Sequence, residues 1–207
     1  MTLLRKTLKN RVNPKPVFRQ RWATALACLV ILLAPVTLCS SVAAEPDPSL
    51  VAKLKLAAAD AQSFDNPYDA QVWLVAKDFH LAKLIHNPEW RLQLLTLIHS
   101  EASRAGLAPE IVLALIEVES GFDPYAVSSA GAQGIMQVMP FWKNHIGRPD
   151  DNLINLQTNL RYGCTILKHY LDLEQGQLAN ALARYNGSYG QTCYAELVLD
   201  AWAERWR

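Results

Sequence analysis

No aspartate or glutamate occurs in the first 44 of the chain's 207 residues, which carry seven Lys or Arg (Arg5, Lys6, Lys9, Arg11, Lys15, Arg19, Arg21). Acid begins at Glu45. Between the basic block and that point lies an uncharged run of 16 residues, Ala23 to Leu38, "ATALACLVILLAPVTL", followed by the small residues of "SVAA". Basic, apolar, small-residue site is the order of a secretory signal peptide, so residues 1–44 are expected to direct export and to be cut after Ala44. The run is short for a membrane span and Pro35 interrupts it. Left uncleaved, it would act as a membrane anchor instead.

The remaining 163 residues are short of basic charge: 13 Lys or Arg against 19 Asp or Glu, a net −6. That balance argues against a nucleic-acid partner, which needs a basic face. They are long enough for one real core. Residues 45–66 read as an N-terminal extension and 67–207 as a single domain. Sustained strand alternation, fixed-period repeats and low-complexity tracts are missing, so the fold expected is all-α. The five histidines (His80, His86, His99, His145, His169) lack metal-ligand spacing. No metal and no cofactor is expected. No phosphate loop is present, and Ser188 in "NGSYG" lacks the first glycine of a nucleophile elbow. Cysteine is scarce: beyond the leader only Cys164 and Cys193 remain. Export to an oxidising compartment and an even count lead us to expect a disulfide between them, worth about 3–4 kcal/mol.

What the chain does have is helix punctuation. Asn66-Pro67 opens "YDAQVWLVAKDFHLAKLI", and Asn87-Pro88 opens "EWRLQLLTLIHSEASRA", which Gly106 ends. Ala108-Pro109 opens a helix that should stop at Gly121, and Asn155 starts "LQTNLRYGCTILKHYLDLE". Shorter helices cover "QLANALARY" and the segment from Cys193, where Trp202 and Trp206 are expected to pack on the core.

The helix before Gly121 ends in "LALIEVES" and holds two glutamates. Helical spacing puts Glu119 beside Val112, Leu115 and Ile116, and Glu117 beside Glu110, Leu113 and Ala114. Apolar neighbours desolvate Glu119, and the negative end of the helix disfavours an anion there. Both favour a neutral carboxyl, which is what a general acid needs. Glu117 is expected to be a solvated surface residue. Burial also shifts pKa at purely structural sites, so the helix alone leaves the two roles open. The next stretch, "SSAGAQGIMQVMP", supplies two glycines for close approach of backbone, Gln137 as donor and acceptor, and flexible Met surface.

The block from Glu119 to Pro140, "ESGFDPYAVSSAGAQGIMQVMP", resembles the signature of lytic transglycosylase catalytic domains of the soluble (SLT) type. "NLQTNLRYGCTILKHYL" from Asn155 resembles that family's next helix, and "ALARYNGSYG" from Ala181 its Ala-x-Tyr-Asn motif. "NGS" at Asn186 to Ser188 departs from the usual pattern of the local turn. The resemblance spans roughly residues 98–189. It implies a lysozyme-like α domain with an active-site cleft, acting in the periplasm on peptidoglycan glycan strands. It implies cleavage of the β-1,4 bond between N-acetylmuramic acid and N-acetylglucosamine, without cofactor. By this resemblance Glu119 is the catalytic acid, and Ser120, Gln137, Met139, Tyr185 and Asn186 are substrate-binding cleft positions. Tyr185 is expected to hydrogen-bond and orient Glu119. Ordinary glycosidases use two carboxylates, and here no second one occupies a matching position. In the one-carboxylate scheme that this suggests, Glu119 protonates the leaving oxygen. It then takes the proton of the sugar's own C6 hydroxyl, which closes a 1,6-anhydro ring. A lysozyme-type hydrolase and a non-catalytic peptidoglycan-binding protein are the alternatives. Small members of the family serve secretion, pilus or conjugation machines, so such a machine is an expected partner.

Overall fold

Asparagine caps set the helix starts that the sequence marked. In the computed structural model, which describes residue 63 and residues 66–207, the Asn66 side chain accepts from the Asp69 amide at 2.9 Å and opens α1 (Pro67–Leu81). Asn87 accepts from the Trp90 amide at 3.0 Å and opens α2 (Pro88–Ala105), which ends on a left-handed Gly106. Prolines at the first helical positions cost nothing there, because those amides have no helical partner. α3 runs Pro109–Ser120 and stops at left-handed Gly121. A long loop and a 3-10 turn (Pro140–Trp142) lead to the short α4 (Lys143–Ile146). Then follow α5 (Leu156–Leu173), α6 (Leu178–Asn186) and α7 (Cys193–Ala201), which continues into one π-helical turn, Trp202–Trp206. The described residues are all-α, with only the isolated bridges Val127–Gln133 and Gln133–Val138 outside helices. Residues 1–44 and nearly all of 45–66, where the leader and the extension are expected, lie outside the described residues. No described helix is long and apolar enough to cross a membrane.

α3 is the centre of the core. Every residue from Ile111 to Ile116 is buried, so this helix has no wet face at all. It packs against α2, α7 and the π-helical turn, while α5 packs against α2 and α6. Ion pairs between elements help to fasten the layers. Arg91 of α2 grips Asp78 of α1 through two N–H groups, at 2.6 and 3.1 Å, and donates to the carbonyls of Ile85 and His86. This bidentate geometry satisfies a guanidinium that is otherwise buried. Glu101 of α2 receives Arg104 at 2.6 Å and Arg161 of α5 at 2.7 Å. Burial pushes the Glu101 carboxyl up, but the two arginines outweigh it and hold it below the ordinary carboxylate range.

Another of these pairs corrects the expectation for Glu117. It is not a solvated surface residue: its carboxylate accepts from the buried Trp206 indole N–H at 2.6 Å and pairs with Arg205 at 2.9 Å. The C-terminal turn packs against α3 on this side. That turn is held from its other side by Lys77, whose Nζ donates to the Trp206 carbonyl at 2.5 Å. Glu117→Ala is therefore expected to cost about 2–3 kcal/mol, since it strands a buried indole donor. Glu117→Gln keeps an acceptor for the indole and loses only a partly exposed ion pair, worth about 0–1 kcal/mol. Urea midpoints of the two variants check this; equal losses would contradict it.

The expected Cys164–Cys193 disulfide is not formed; both are free thiols. Cys164 lies fully buried on α5, where burial pushes its thiol up to about 12. Cys193 is solvent-exposed at the start of α7. Periodicity placed Cys164 on the apolar stripe correctly, but a side chain buried in the core is not presented to one that faces solvent.

Candidate active site

Glu119 sits in the last turn of α3, where the buried helix emerges into the loop of residues 121–139. Its Oε1 accepts the hydroxyl of Tyr194, on α7, at 2.5 Å. Burial raises the Glu119 carboxyl above the ordinary range, and the Tyr194 hydrogen bond offsets only part of this. The hydroxyl of Tyr194 is itself driven far up by burial, by the nearby Glu119 charge and by that hydrogen bond, so it remains a donor at any working pH. The arrangement is a carboxyl that prefers its proton, steered by a neutral phenol.

Tyr185 does not orient Glu119 through a hydrogen bond, contrary to expectation. Its hydroxyl donates to the Met136 carbonyl at 2.7 Å. It is nevertheless close enough for the Glu119 charge to help raise its pKa, after the larger effect of burial. The orienting contact comes instead from Tyr194, which sequence reading missed. Tyr194, Val198 and Ala201 form one face of α7, so periodicity shows Tyr194 turned towards the core but not what it meets there. Tyr194→Phe is expected to raise the Glu119 pKa further, because a hydrogen bond to the charged form is lost. The alkaline limb of the pH–rate profile should move to higher pH and the maximal rate should fall. An unmoved limb would remove Tyr194 from this role.

Ser120, Gln137 and Asn159 build the loop after Glu119. The Ser120 hydroxyl donates to the Ile135 carbonyl at 2.7 Å, joining the end of α3 to the far side of the loop. Gln137 has a left-handed backbone (φ 49°), uncommon for a residue with a side chain. Its Nε2 donates to the carbonyls of Ala126 and Gly134 at 3.1 and 2.9 Å, which holds that conformation. Asn159, fully buried on α5, accepts from the Met136 amide and donates to the carbonyls of Gln133 and Leu153, each at 2.8 Å. Gly134 (φ 73°) passes so close to Asn159 that an added Cβ would meet its amide and lie 2.6 Å from the Leu153 carbonyl. Met139 is half-buried at the start of the 3-10 turn, and Asn186 is exposed at the end of α6.

Neither other nearby acid in the sequence is arranged as a second catalytic carboxylate. Glu117 is held by Arg205 and Trp206, and Asp123 is exposed with its Oδ1 accepting the Tyr125 amide at 2.9 Å. Among the described residues no group of three or more His, Cys, Asp or Glu side chains is placed to hold a metal ion.

The site is thus a buried helix that ends in an acid, followed by a loop anchored from a second helix of the same all-α domain. Residues 96–196 match the family model "Transglycosylase SLT domain". Over 48 residues the chain is 52% identical to a membrane-bound lytic murein transglycosylase C of Actinobacillus pleuropneumoniae, covering 23% of this chain and 13% of the relative. Over 127 residues it is 31% identical to the protein of the same name from Yersinia pestis, covering 54% of this chain and 34% of the relative. The matched stretch thus spans only 13% to 34% of these relatives' length. Two solved structures are similar. Lytic transglycosylase Slt of Pseudomonas aeruginosa aligns at 22% identity and TM-score 0.43, covering 73% of this chain and 26% of that one. The 70 kDa soluble lytic transglycosylase of Escherichia coli aligns at 20% identity and TM-score 0.43, covering 70% and 26%.

Proposed function

We propose that the protein is a peptidoglycan lytic transglycosylase. It cleaves the β-1,4 bond between N-acetylmuramic acid and N-acetylglucosamine and leaves 1,6-anhydromuramic acid ends. The observation that carries this is the protonation-prone Glu119 carboxyl with a single neutral partner, Tyr194. Such a group can give its proton to the leaving glycosidic oxygen. As the resulting anion it is desolvated, which makes it a base strong enough to take the C6 hydroxyl proton as that oxygen attacks C1. The C1–O4 bond breaks, the C1–O6 bond forms, and Glu119 ends reprotonated with no water consumed. The engagement of Glu117 and Asp123 with Trp206, Arg205 and the Tyr125 amide leaves neither of these two described carboxylates arranged to activate a water, which supports ring closure over hydrolysis. The SLT match and the names of the relatives support murein as substrate.

On this reading residues 1–44 export the protein to the periplasm, 45–66 are an N-terminal extension, and 67–207 are the catalytic domain. Ser120, Gln137, Met139, Tyr185 and Asn186 line the path of the glycan, Ser120 and Gln137 through the loop backbone they hold in place. Association with a secretion, pilus or conjugation machine would supply a reason for opening the wall locally. The test is digestion of purified sacculi by the protein, followed by mass spectrometry. Soluble fragments one water lighter than hydrolytic products are expected. Reducing-end fragments would make the protein a lysozyme-type hydrolase, and no release from sacculi that it binds would make it a binding protein.

A further inference from the structure

A concavity of about 440 Å³ lies between α2, the start of α5 and the loop after Glu119. Trp90, Tyr125, Gln93, Gln157 and Asn155 supply its chemistry, with Leu97, Pro124, Ile154 and Leu156 as apolar floor. It shares no residue with the Glu119–Tyr194 contact. We propose that this concavity is an accessory binding site for the N-acetylhexosamine chain of the glycan, separate from the cleavage site; the identity of the ligand rests on the function proposed above.

Three observations carry it. First, the polar groups are uncommitted. The Trp90 indole N–H, the Tyr125 hydroxyl and the carboxamides of Gln93 and Gln157 make no hydrogen bond among the described residues, and only the Oδ1 of Asn155 is in use, as cap for Thr158. Second, Tyr125 is 74% exposed although the neighbouring Ala126 carbonyl is held by Gln137 and the far side of the loop by Ser120 and Asn159. Its amide is fixed to Asp123 at 2.9 Å, which leaves the ring projecting from a rigid base. A presented ring costs little entropy on binding. Third, the lining bears no charge. The adjoining hollow that shares Gln157 contains Arg148 and Arg161, but each is already paired, with Asp151 at 3.4 Å and with Glu101 at 2.7 Å.

Aromatic faces beside neutral carboxamides match a ligand with apolar C–H faces, hydroxyls and acetamido groups. They do not match a carboxylate-bearing stem peptide, which would draw on free cations. A site of this kind would hold the polymer while the cleavage site releases its product.

The probe is a β-1,4-linked tetramer of N-acetylglucosamine, titrated into full-length Glu119→Gln protein labelled with nitrogen-15. The Trp90 indole N–H signal, assigned by its loss in Trp90→Phe, should shift saturably. Tyr125→Ala should weaken that titration about tenfold, the worth of one buried ring face. Gln157→Ala, a second exposed position, should weaken it as well. In the wild-type background Tyr125→Ala should slow release from intact sacculi and leave cleavage of short soluble glycans unchanged. An unshifted Trp90 signal, or the same titration in both variants with melting temperatures preserved, overturns the site. If Trp90 titrates but no variant or wild-type protein cleaves murein, the accessory site stands and the proposed function falls.

Discussion

Glu119→Gln is expected to abolish release of fragments from sacculi while raising thermal stability at neutral pH. Glutamine has the shape of the protonated acid and keeps an oxygen for the Tyr194 hydroxyl, so the surroundings need not move. It can neither donate a labile proton nor accept one. General acid–base catalysis is worth on the order of 10²- to 10⁴-fold for one transfer, and Glu119 is asked for two, so the loss should reach the upper end of that range. The stability change has a definite sign. Burial raises the Glu119 pKa in the folded state above its unfolded value. The stabilising protonated form is fully present below the unfolded pKa, and its contribution is lost as pH rises through the folded pKa. The glutamine variant has no such loss, so its advantage in melting temperature should be absent in acid and grow towards neutrality. Digestion assays and melts across that pH range check both halves. Retained cleavage would sink the assignment of the acid, and a constant offset in melting temperature would sink the account of its burial.

Asn159→Leu should be the most damaging single change to the fold around the site. The side chain closes three hydrogen bonds, to the Met136 amide and to the carbonyls of Gln133 and Leu153. Leucine is close in size and leaves all three groups buried without a partner. At roughly 1–3 kcal/mol for each stranded group, a loss of about 3–5 kcal/mol is expected. That is a large part of the whole stability of a domain this size. Activity should fall with it, because the Met136 carbonyl that receives Tyr185 belongs to the same turn. Asn159→Asp should be no milder, since it sets a negative charge against two carbonyl oxygens. Urea unfolding gives the stability and sacculus digestion the activity. A loss below about 1 kcal/mol would show that the loop holds itself.

The sequence made some of this plain and hid the rest for specific reasons. The asparagine caps at Asn66, Asn87 and Asn155 are local: each side chain binds an amide three residues on, so a few letters suffice. Glu119 was legible because one helical face and one helix end both act on it. Glu117 was misread because α3 is covered all round, and the reading assumed that a helix must have a wet side. Which residues cover that side, Arg205 and Trp206, depends on a segment 88 and 89 residues away. Tyr194 was out of reach for the same reason, at 75 residues from its partner. Asn159 left a faint sign, a polar residue on the buried stripe of α5 with Gly163 and Ile166, which a stricter reading of that stripe would have flagged.

These long spans have a consequence for how the molecule comes to life. α3 forms early in the chain, but its carboxyl acquires its phenol partner only when α7 docks, and its neighbour Glu117 is capped only when the turn after α7 closes. Contacts so far apart in sequence form late, after the entropy of closing the loop between them has been overcome. A chain that is still emerging, from a ribosome or through a membrane, thus carries the acid without its setting. The setting of Glu119 is therefore complete only once α7 has docked against α3.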